Sequence, residues 1–320
     1  MSVPLLRAIA PTPSVTVQDA GRRGWRRFGI ASAGAMDRMS LAIANALVGN
    51  HPSEAALEFA YAGGDWAVEA SSCRVAVTGG EFDVTVDGDP FPPYSSRVLE
   101  PGQRLRIGGG TRRVWGYLGV AGGFDLPLEF GSRSTHVRTG IGGLAGRMIR
   151  AGDALPLRAD RAPNEPERSM VPPPEPDGPL RLVPGPQEDY FDSQSTSLFL
   201  SAEYEVTWQQ DRMAYRLHGP PLRHAKGYNI ISDGVVPGCI QIIGTGLPLV
   251  LMRDAGTVGG YPKIATIVEA DLGRMAQKRP GSMVRFAAIG VAEAHAIRRQ
   301  FLARLQLVAE RAAGVPGPAY

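Results

Sequence analysis

The chain contains 320 residues, 43% of them hydrophobic, which is enough apolar material for one large domain or two of ordinary size. Its net charge is only +3, and no run of Lys and Arg is interleaved with aromatic residues, which argues against a nucleic-acid partner. The 40 glycines and 27 prolines favour turns and short strands over long helices, so we expect a mainly β protein.

Strand patterns dominate the chain up to residue 157, and one helix interrupts them. This helix is predicted over AMDRMSLAIANALVGN, residues 35–50, with Asp37 in its first turn and Gly49-Asn50 at its end. Alternating residues on both sides of Asp87-Gly88 predict a β-hairpin. The stretch GRRGWRRFG, residues 21–29, has two interpretations: a solvated loop or a clamp for an anion.

A polar, proline-dense stretch at residues 158–179 holds charges of both signs and almost nothing to bury, which predicts a linker. It separates a first β-rich domain, residues 1–157, from a second, residues 180–320. The last predicted element is an amphipathic helix within residues 291–314. Its apolar stripe consists of Ile297, Phe301, Leu305 and Val308.

The two halves share blocks of similar sequence in the same order. LGVAGGFDLPLEFGSRST, residues 118–135, aligns with AGTVGGYPKIATIVEAD, residues 255–271. Downstream, GRMIRAGDALPL, residues 146–157, aligns with GRMAQKRPGSMVRF, residues 273–286. This order predicts duplication of a β-rich domain, and chance similarity in a chain rich in Gly and Arg is the alternative.

The cellular compartment is indicated by the cysteines and the absence of targeting patterns. Cys73 and Cys239 lie far apart in apolar, strand-like runs without a C-x-x-C motif. We expect buried thiols in a reducing compartment, with a disulfide as the alternative. The N-terminus lacks a secretory signal pattern, and no window approaches 18 uninterrupted apolar residues. A cytoplasmic protein without a membrane partner is therefore expected.

Most standard catalytic motifs are absent from the sequence. No G-x-x-x-x-G-K-[ST] phosphate loop occurs, so ATP held by such a loop in this chain is not expected. GIGGLA, residues 140–145, fits the loose dinucleotide pattern but has no clear βαβ context. The five histidines show no metal-ligand spacing, so no metal site is predicted, and no G-x-S-x-G elbow is present.

Polar residues in glycine-framed loops of the first half form one candidate group. TVQDAGRRG supplies Gln18, Asp19 and Arg22, and GAMD supplies Asp37 ahead of the helix. Glu58 lies in the apolar run EAALEFAYAGG, where a carboxylate is costly to bury unless it is paired. Arg22 is the expected partner of Glu58. Such pairs are usually structural, and catalysis by Glu58 or Asp19 is the alternative.

Lysine usage singles out one position in the second half. Only three of the 34 basic residues are lysines, and Lys263 follows Gly-Gly-Tyr-Pro. The pKa of a lysine shifts readily on burial, so a lysine can exchange protons in ways that an arginine cannot. We expect Lys263 at a corner that faces a ligand, and the alternative is a strand-end lysine paired with Asp254.

The remaining candidates of the second half surround this lysine in sequence. Gln241 lies mid-strand in GCIQIIG, where it either orients an amide or ureido substrate or is a satisfied core residue. Asp254 ends an apolar strand and could act as a base. Tyr261 shares the corner of Lys263. Gln277, together with Lys278, is expected at the surface after a short helical stretch.

Several segments, taken together, resemble the KipA-like carboxyltransferase family. The most specific are TVQDAGRRGWRRFGIASAGAMDRMSLAIANALVGN near the start and GGYPKIATIVEADLGRMAQKRPG, residues 259–281. GLAGRMIRAGD, PGPQEDYF and DRMAYRLHG match in the right order, so the resemblance covers nearly the whole chain. The family includes the C-type component of the prokaryotic 5-oxoprolinase, proteins of the allophanate hydrolase subunit 2 type, and the second half of the carboxyltransferase part of urea carboxylase.

The resemblance implies two cyclophilin-like β-barrel domains and a hetero-oligomeric enzyme. The implied partners are a KipI-like subunit and, in 5-oxoprolinase, a third subunit of the LamB/YcsF type. The implied reaction is ATP-dependent opening of a cyclic amide, and the alternative is transfer of carboxylate from biotin to urea or an amide. A third possibility is a non-enzymatic antagonist of a kinase inhibitor. No biotin-attachment sequence surrounds any lysine, so biotin would arrive on another protein.

The resemblance also implies the site residues and shows where this chain departs from the family. The matching positions are Gln18, Asp19, Arg22, Asp37, Glu58, Gln241, Asp254, Tyr261, Lys263 and Gln277. Among these, Lys263, Asp254 and Glu58 are the predicted catalytic residues and the others are predicted to bind substrate. Ala214 replaces a usual glycine, Ile243 a proline and Leu247 a glutamine, so the substrate can differ from the best-known one of the family.

Overall fold

The computed structural model describes residues 3–172 and 174–312, which form two compact units. Within this range, unit 1 comprises residues 3–22, 33–172 and 303–312, and unit 2 comprises residues 23–32 and 174–302. No described helix is long and apolar enough to cross a membrane.

These units differ from the predicted domain boundaries in three places. Residues 23–32 belong to unit 2, the end of the last helix belongs to unit 1, and so does the predicted linker up to residue 172. The linker carbonyl of Pro166 accepts a 2.6 Å hydrogen bond from Arg74 Nη1. Polar contacts of this kind hold a segment in place even when it has little apolar surface to bury.

Unit 1 is built on two antiparallel sheets and one complete helix, in addition to the end of the last helix. Its strands are β1 (Leu5–Pro11), β2 (Thr16–Gln18), β3 (Ala56–Ala60), β4 (Gly64–Glu69), β5 (Cys73–Thr78), β6 (Phe82–Val86), β7 (Asp89–Pro90), β8 (Ser96–Leu99), β9 (Arg104–Gly110), β10 (Trp115–Val120) and β11 (Ala154–Pro156). The sheet orders are β11-β1-β4-β9-β6-β7 and β2-β3-β10-β5-β8. The predicted hairpin is confirmed, because Asp87 and Gly88 have φ values of 51° and 94° between β6 and β7.

The predicted first helix is confirmed as α1 (Arg38–Leu47), which packs against β3, β5 and β10. Asp37 is its N-cap rather than a residue of its first turn. The Asp37 carboxylate accepts hydrogen bonds from the backbone N–H groups of Met39 at 3.0 Å and Ser40 at 3.2 Å. All but one of its residues are buried, so this helix belongs to the core of unit 1.

Unit 2 is built on one eight-stranded sheet with a separate two-stranded ribbon. Its strands are β12 (Leu180–Pro184), β13 (Tyr204–Gln210), β14 (Ala214–His218), β15 (Asp233–Gly234), β16 (Cys239–Ile242), β17 (Pro248–Leu251), β18 (Val258–Gly259), β19 (Lys263–Ile267), β20 (Met283–Val284) and β21 (Phe286–Ala288). The large sheet has the order β20-β13-β14-β17-β16-β19-β12-β21, and β15 pairs with β18. Its two edge strands are separated in the chain by Arg285 alone, so the sheet curls into a nearly closed barrel.

Three helices complete the described chain: α2 (Ser193–Ser201), α3 (Glu269–Ala276) and α4 (Val291–Ala312). The predicted C-terminal helix is confirmed as α4, and residues 313 and 314 of the prediction lie outside the described residues. Short 3-10 turns occur at Arg26–Phe28, Val137–Thr139 and Glu188–Tyr190. The mainly β prediction is therefore confirmed.

Candidate active site

The candidate site of unit 2 is centred on Lys263, the first residue of β19. Its side chain is only 3% exposed, and its Nζ donates to Asp233 Oδ2 at 2.5 Å and to the carbonyl of Gly234 at 2.9 Å. Asp233 and Gly234 form β15, which pairs with Val258 and Gly259 of β18. The two-stranded ribbon thus neutralises a lysine that would otherwise be a costly buried cation.

Two glutamine side chains complete the surroundings of Lys263. Gln241 of β16 is the register partner of Lys263 across the antiparallel pair β16–β19, so both side chains lie on one face. Gln241 Nε2 donates to the Tyr261 carbonyl at 3.3 Å. Gln187 accepts from the Lys263 backbone N–H at 3.3 Å and donates from Nε2 to Asp233 Oδ2 at 3.2 Å. The structure therefore brings Gln241, Tyr261 and Lys263 together.

Gly259 is required by the close approach of the Gln241 amide. A Cβ atom at Gly259 would lie 2.4 Å from Gln241 Nε2 and 3.1 Å from Val235 Cγ1. A contact under 3 Å forces the end of the flexible Gln241 side chain to shift, so glycine allows the ribbon and the amide to pack at this distance. Tyr261, two residues further on, is 36% exposed and lies at the rim of this cluster.

Asp233 is the exposed member of the cluster, with 53% of its side chain accessible. Hydrogen bonds from the Lys263 ammonium, the Gly234 backbone N–H and the Gln187 amide lower the pKa of the Asp233 carboxyl below its usual value. Asp233 is therefore a carboxylate at neutral pH, and the Asp233–Lys263 pair has no net charge.

The family departures lie close to this cluster. Ile243 and Leu247 form the turn that joins β16 to β17, in which the Ile243 N–H donates to the Leu247 carbonyl at 3.2 Å. The turn begins two residues after Gln241. Ala214, in contrast, lies in β14 opposite Leu251. Two of the three departures are thus placed where they can change the surroundings of the site amide.

Asp254, which was the alternative predicted partner of Lys263, binds Arg212 instead. Its carboxylate accepts from Arg212 Nε at 2.9 Å and from Arg212 Nη2 at 2.8 Å, and its backbone N–H donates to the Arg212 carbonyl. Among the described residues, the carboxylate that pairs with Lys263 is Asp233. The alternative pairing of Lys263 with Asp254 is therefore wrong, because a two-point arginine clamp holds Asp254.

Gln277 is not a surface residue, which corrects another prediction. It is the C-cap of α3 and is only 5% exposed. Its backbone N–H donates to the Gly273 carbonyl at 3.0 Å. Gln277 is the first residue after the end of α3 and is buried, whereas the next residue, Lys278, is half-buried.

Two candidate residues of unit 1, Glu58 and Asp37, belong to a polar network around Tyr117. Glu58 of β3 lies opposite Tyr117 of β10, and Glu58 Oε2 accepts from the Tyr117 hydroxyl at 2.7 Å and from the Met36 backbone N–H at 2.7 Å. The Asp37 backbone N–H donates to the same hydroxyl at 2.7 Å. Burial, together with the charges of Glu58 and Asp37, raises the pKa of Tyr117 well above its usual value. This network attaches the start of α1 to the sheet.

Asp19 and Gln18 hold a neighbouring loop of unit 1. Asp19 accepts from the Ser132 hydroxyl at 2.6 Å and from the Arg133 backbone N–H at 2.6 Å, and also from the Ser134 hydroxyl. Gln18 Nε2 donates to the Thr135 carbonyl at 2.9 Å. Both side chains are buried, so they join two backbone segments at this point.

Two arginines of residues 21–29, Arg22 and Arg26, bind backbone carbonyls. Arg22, in unit 1, donates from Nε to the Glu129 carbonyl at 3.2 Å and from Nη2 to the Ser134 carbonyl. Arg26, in unit 2, donates from Nη2 to the carbonyls of Val235 at 2.5 Å and Gly256 at 2.6 Å. Burial lowers the pKa of Arg26. These two guanidinium groups hold loops in place through backbone carbonyls. The two interpretations of residues 21–29, a solvated loop and a clamp for an anion, did not include this function.

Asp233 and Gln187 are the two residues of the site that the sequence analysis did not select. Gln187 lies in PGPQEDYF, one of the segments that match the family, and this was the available signal. Asp233 is followed by Gly234 in a turn-like SDG triplet and had no signal of its own.

Comparison with known proteins places these observations in context. A family model described as "Carboxyltransferase domain, subdomain A and B" matches residues 28–288. The C-type component of the 5-oxoprolinase of Escherichia coli K12 is 36% identical over 294 residues, covering 91% of this chain and 93% of that protein. Its counterpart of the same name in Haemophilus influenzae is 36% identical over 285 residues, covering 89% and 91%.

A larger enzyme of known structure contains a similar region. The Kluyveromyces lactis urea amidolyase superimposes with a TM-score of 0.87 at 26% identity, covering 96% of this chain. This chain spans only 20% of that enzyme, whose remaining length has no counterpart here.

Proposed function

We propose, from the premise that the chain belongs to the carboxyltransferase family with subdomains A and B, that it is the C-type component of a 5-oxoprolinase complex. The observation that carries this proposal is its 36% identity to two 5-oxoprolinase components of this type over more than nine-tenths of their length. The chain would act in the cytoplasm with a KipI-like subunit and a third subunit of the LamB/YcsF type.

The proposed reaction breaks the lactam C–N bond of 5-oxoproline by addition of water to give glutamate, and it is coupled to hydrolysis of ATP to ADP and phosphate. This chain has no phosphate-loop sequence, so ATP would be held by another subunit. What this chain offers is the unit 2 cluster of polar groups beside glycines. Lys263 uses two of its three N–H donors on Asp233 and Gly234, and the third can stabilise negative charge on the lactam oxygen.

Gln241 is the proposed contact to the substrate amide. Its Nε2 is held by the Tyr261 carbonyl, and within the described part of the chain its Oε1 receives no hydrogen bond. Such an oxygen can share an amide N–H with a second acceptor of the cluster. In contrast, the carboxylates of Asp254 and Glu58 are each held by two hydrogen bonds of the fold, so we assign them positioning roles rather than proton transfer.

The test uses the purified complex of all three subunits and measures ATP-dependent glutamate formation from 5-oxoproline. Lys263→Met is expected to lower kcat by about 100-fold or more, the usual cost of losing a donor to a developing oxyanion. Lys226→Met is the matched control, because this lysine forms an exposed pair with Asp189, and its rate should stay within about twofold of wild type.

Two results would count against the proposal. Absence of turnover by the complete wild-type complex removes the 5-oxoprolinase function. A folded Lys263→Met complex with wild-type kcat removes the role of Lys263 and leaves the function itself intact.

The second candidate function is that of a biotin-dependent carboxyltransferase acting on urea or another amide. It is favoured by the TM-scores of 0.87 to the K. lactis urea amidolyase and urea carboxylase. Lys263 is buried and paired, and no biotin-attachment sequence surrounds the other lysines, so biotin would be carried by a partner. Turnover that requires bicarbonate and a biotinylated partner, and that avidin blocks, would establish this function in place of the first.

A further inference from the structure

Lys263 is not a free cation. Its ammonium and the Asp233 carboxylate are 2.5 Å apart, and the ammonium is buried while the carboxylate is half exposed. Because the pair is neutral, an anionic group of a ligand would have to displace Asp233 before it gained the full attraction of Lys263. The pair as it stands favours contact with a neutral group of the ligand, such as its amide.

The Asp233 carboxylate is oriented by three donors from three segments of the chain. Lys263 Nζ and Gln187 Nε2 donate to Oδ2, and the Gly234 backbone N–H donates to Oδ1 at 2.7 Å. A carboxylate accepts about four hydrogen bonds, so Oδ1 retains an acceptor position. Asp233 is also the half-exposed residue of the pair.

The pair therefore presents an acceptor beside a donor. The acceptor is Asp233 Oδ1, and the donor is the third N–H of the Lys263 ammonium, which is additional to its bonds to Asp233 and Gly234. A cis-amide or ureido edge presents the complementary pair, an N–H beside a C=O. Lactams and cyclic ureas have this edge fixed by the ring, whereas a carboxylate has two acceptors and no donor.

We infer that Asp233 is a specificity-determining residue that accepts the N–H of a lactam or cyclic ureido ring while Lys263 donates to its carbonyl, and that Gln187 is the positioning residue for Asp233. This inference rests on the proposed function in that it concerns the same cluster. It goes further by naming the recognised edge and two residues that neither the family resemblance nor the sequence pattern selected.

The test measures binding of three small probes to the purified complex by calorimetry or ligand-observed NMR. 2-Pyrrolidinone represents the lactam edge, 2-imidazolidinone the cyclic ureido edge, and acetate the anion. Asp233→Asn removes the charge of the acceptor and should weaken both neutral probes about tenfold or more, as expected for loss of a hydrogen bond to a charged group. The same change leaves Lys263 uncompensated, so acetate should bind more tightly, by about tenfold.

Opposite shifts for neutral and anionic probes separate recognition from a structural defect, which would weaken all three. Gln187→Met should weaken the neutral probes by a smaller factor, about threefold, and raise KM for 5-oxoproline with little change in kcat. Asp189→Asn, in the same segment as Gln187 but paired with the exposed Lys226, is the matched control and should bind all probes like wild type.

The outcomes keep this inference apart from the proposed function. Stronger weakening for 2-pyrrolidinone indicates a lactam as the ligand, and stronger weakening for 2-imidazolidinone indicates a ureido ring. Unchanged neutral binding in Asp233→Asn, no gain for acetate, or a wild-type complex that binds neither neutral probe overturns the inference. A wild-type complex that binds the probes as expected but does not turn over 5-oxoproline overturns only the proposed 5-oxoprolinase function.

Discussion

Asp254 tests whether the geometry separates structural carboxylates from catalytic ones. It was predicted to be catalytic, but its carboxylate makes two bonds of 2.9 and 2.8 Å to Arg212, and the two side chains are only 8% and 11% exposed. The backbone N–H of Asp254 also donates to the Arg212 carbonyl. We therefore expect Asp254→Ala to act mainly on stability.

The expected magnitude follows from the burial of the pair. Removing one partner of a buried ion pair leaves an uncompensated charge and costs about 3–5 kcal/mol of unfolding free energy. With a urea m-value of about 2 kcal/mol/M, this lowers the midpoint of unfolding by about 2 M. Urea titration of the isolated chain, followed by far-UV circular dichroism, measures the midpoint and its slope.

The double variant Arg212→Met with Asp254→Leu supplies the control. Neutral side chains of similar volume remove both charges together, so most of the stability should return, with a midpoint within about 1 M of wild type. The reasoning is refuted by an Asp254→Ala chain that unfolds at the wild-type midpoint but whose complex has lost turnover. Asp254 would then be a catalytic residue held in place by Arg212.

Three further changes probe other parts of the structure. Gly259→Ala places a methyl group 2.4 Å from the Gln241 amide nitrogen. The variant should raise KM for 5-oxoproline at least about tenfold, while the urea midpoint stays within about 0.5 M of wild type. An unchanged KM would show that Gln241 does not contact substrate. Burial raises the pKa of Asp271, but hydrogen bonds and charge from Arg181 outweigh it and lower the pKa overall. The pair therefore stabilises the fold above the usual carboxyl pKa of about 3.9, and this stability is lost as the pH falls below that value. Asp271→Asn should make the loss of stability at acid pH less steep in urea titrations, and an equally steep loss in the variant would exclude the pair as its cause. Burial raises the pKa of the Cys73 thiol to about 12, so a disulfide-exchange reagent at about pH 8 should label it only in urea, and rapid labelling of the native chain would contradict its burial.

The elements of the fold were predictable where local chemistry decides them. The hairpin at Asp87-Gly88 follows from two positions that need positive φ, and α1 follows from its apolar spacing and a capping aspartate. The buried thiols were also predictable, because Cys73 and Cys239 lie in apolar strands and both are free. Each of these features depends on residues that are neighbours in the sequence.

The unit boundaries were less predictable because distant contacts decide them. Residues 23–32 look like part of the first half, yet the Arg26 guanidinium binds the carbonyls of Val235 and Gly256, which lie far along the chain in the second half. Likewise, Arg168 of the predicted linker donates to the Ala46 carbonyl at 2.9 Å. Backbone carbonyls carry no sequence identity, so a pattern of side chains does not indicate which loop an arginine will anchor. The predicted duplication of a β-rich domain also rests on sequence similarity between the two halves, and it stays a prediction.

The candidate site shows the same limit at the scale of one ion pair. Tyr261 and Lys263 are two residues apart, so their proximity was predictable, whereas the pairing of β16 with β19 that adds Gln241 is seen only in the structure. The partner of Lys263 was not predictable either. Asp254 is nearer in sequence than Asp233, but Arg212 reaches Asp254 with two hydrogen bonds, whereas the β15–β18 ribbon places Asp233 directly over the ammonium. A ribbon of two residues per strand has almost no pattern of its own. The ribbon makes the Asp233–Lys263 pair neutral and so affects which group of a ligand can bind there. This property follows only from the folded chain.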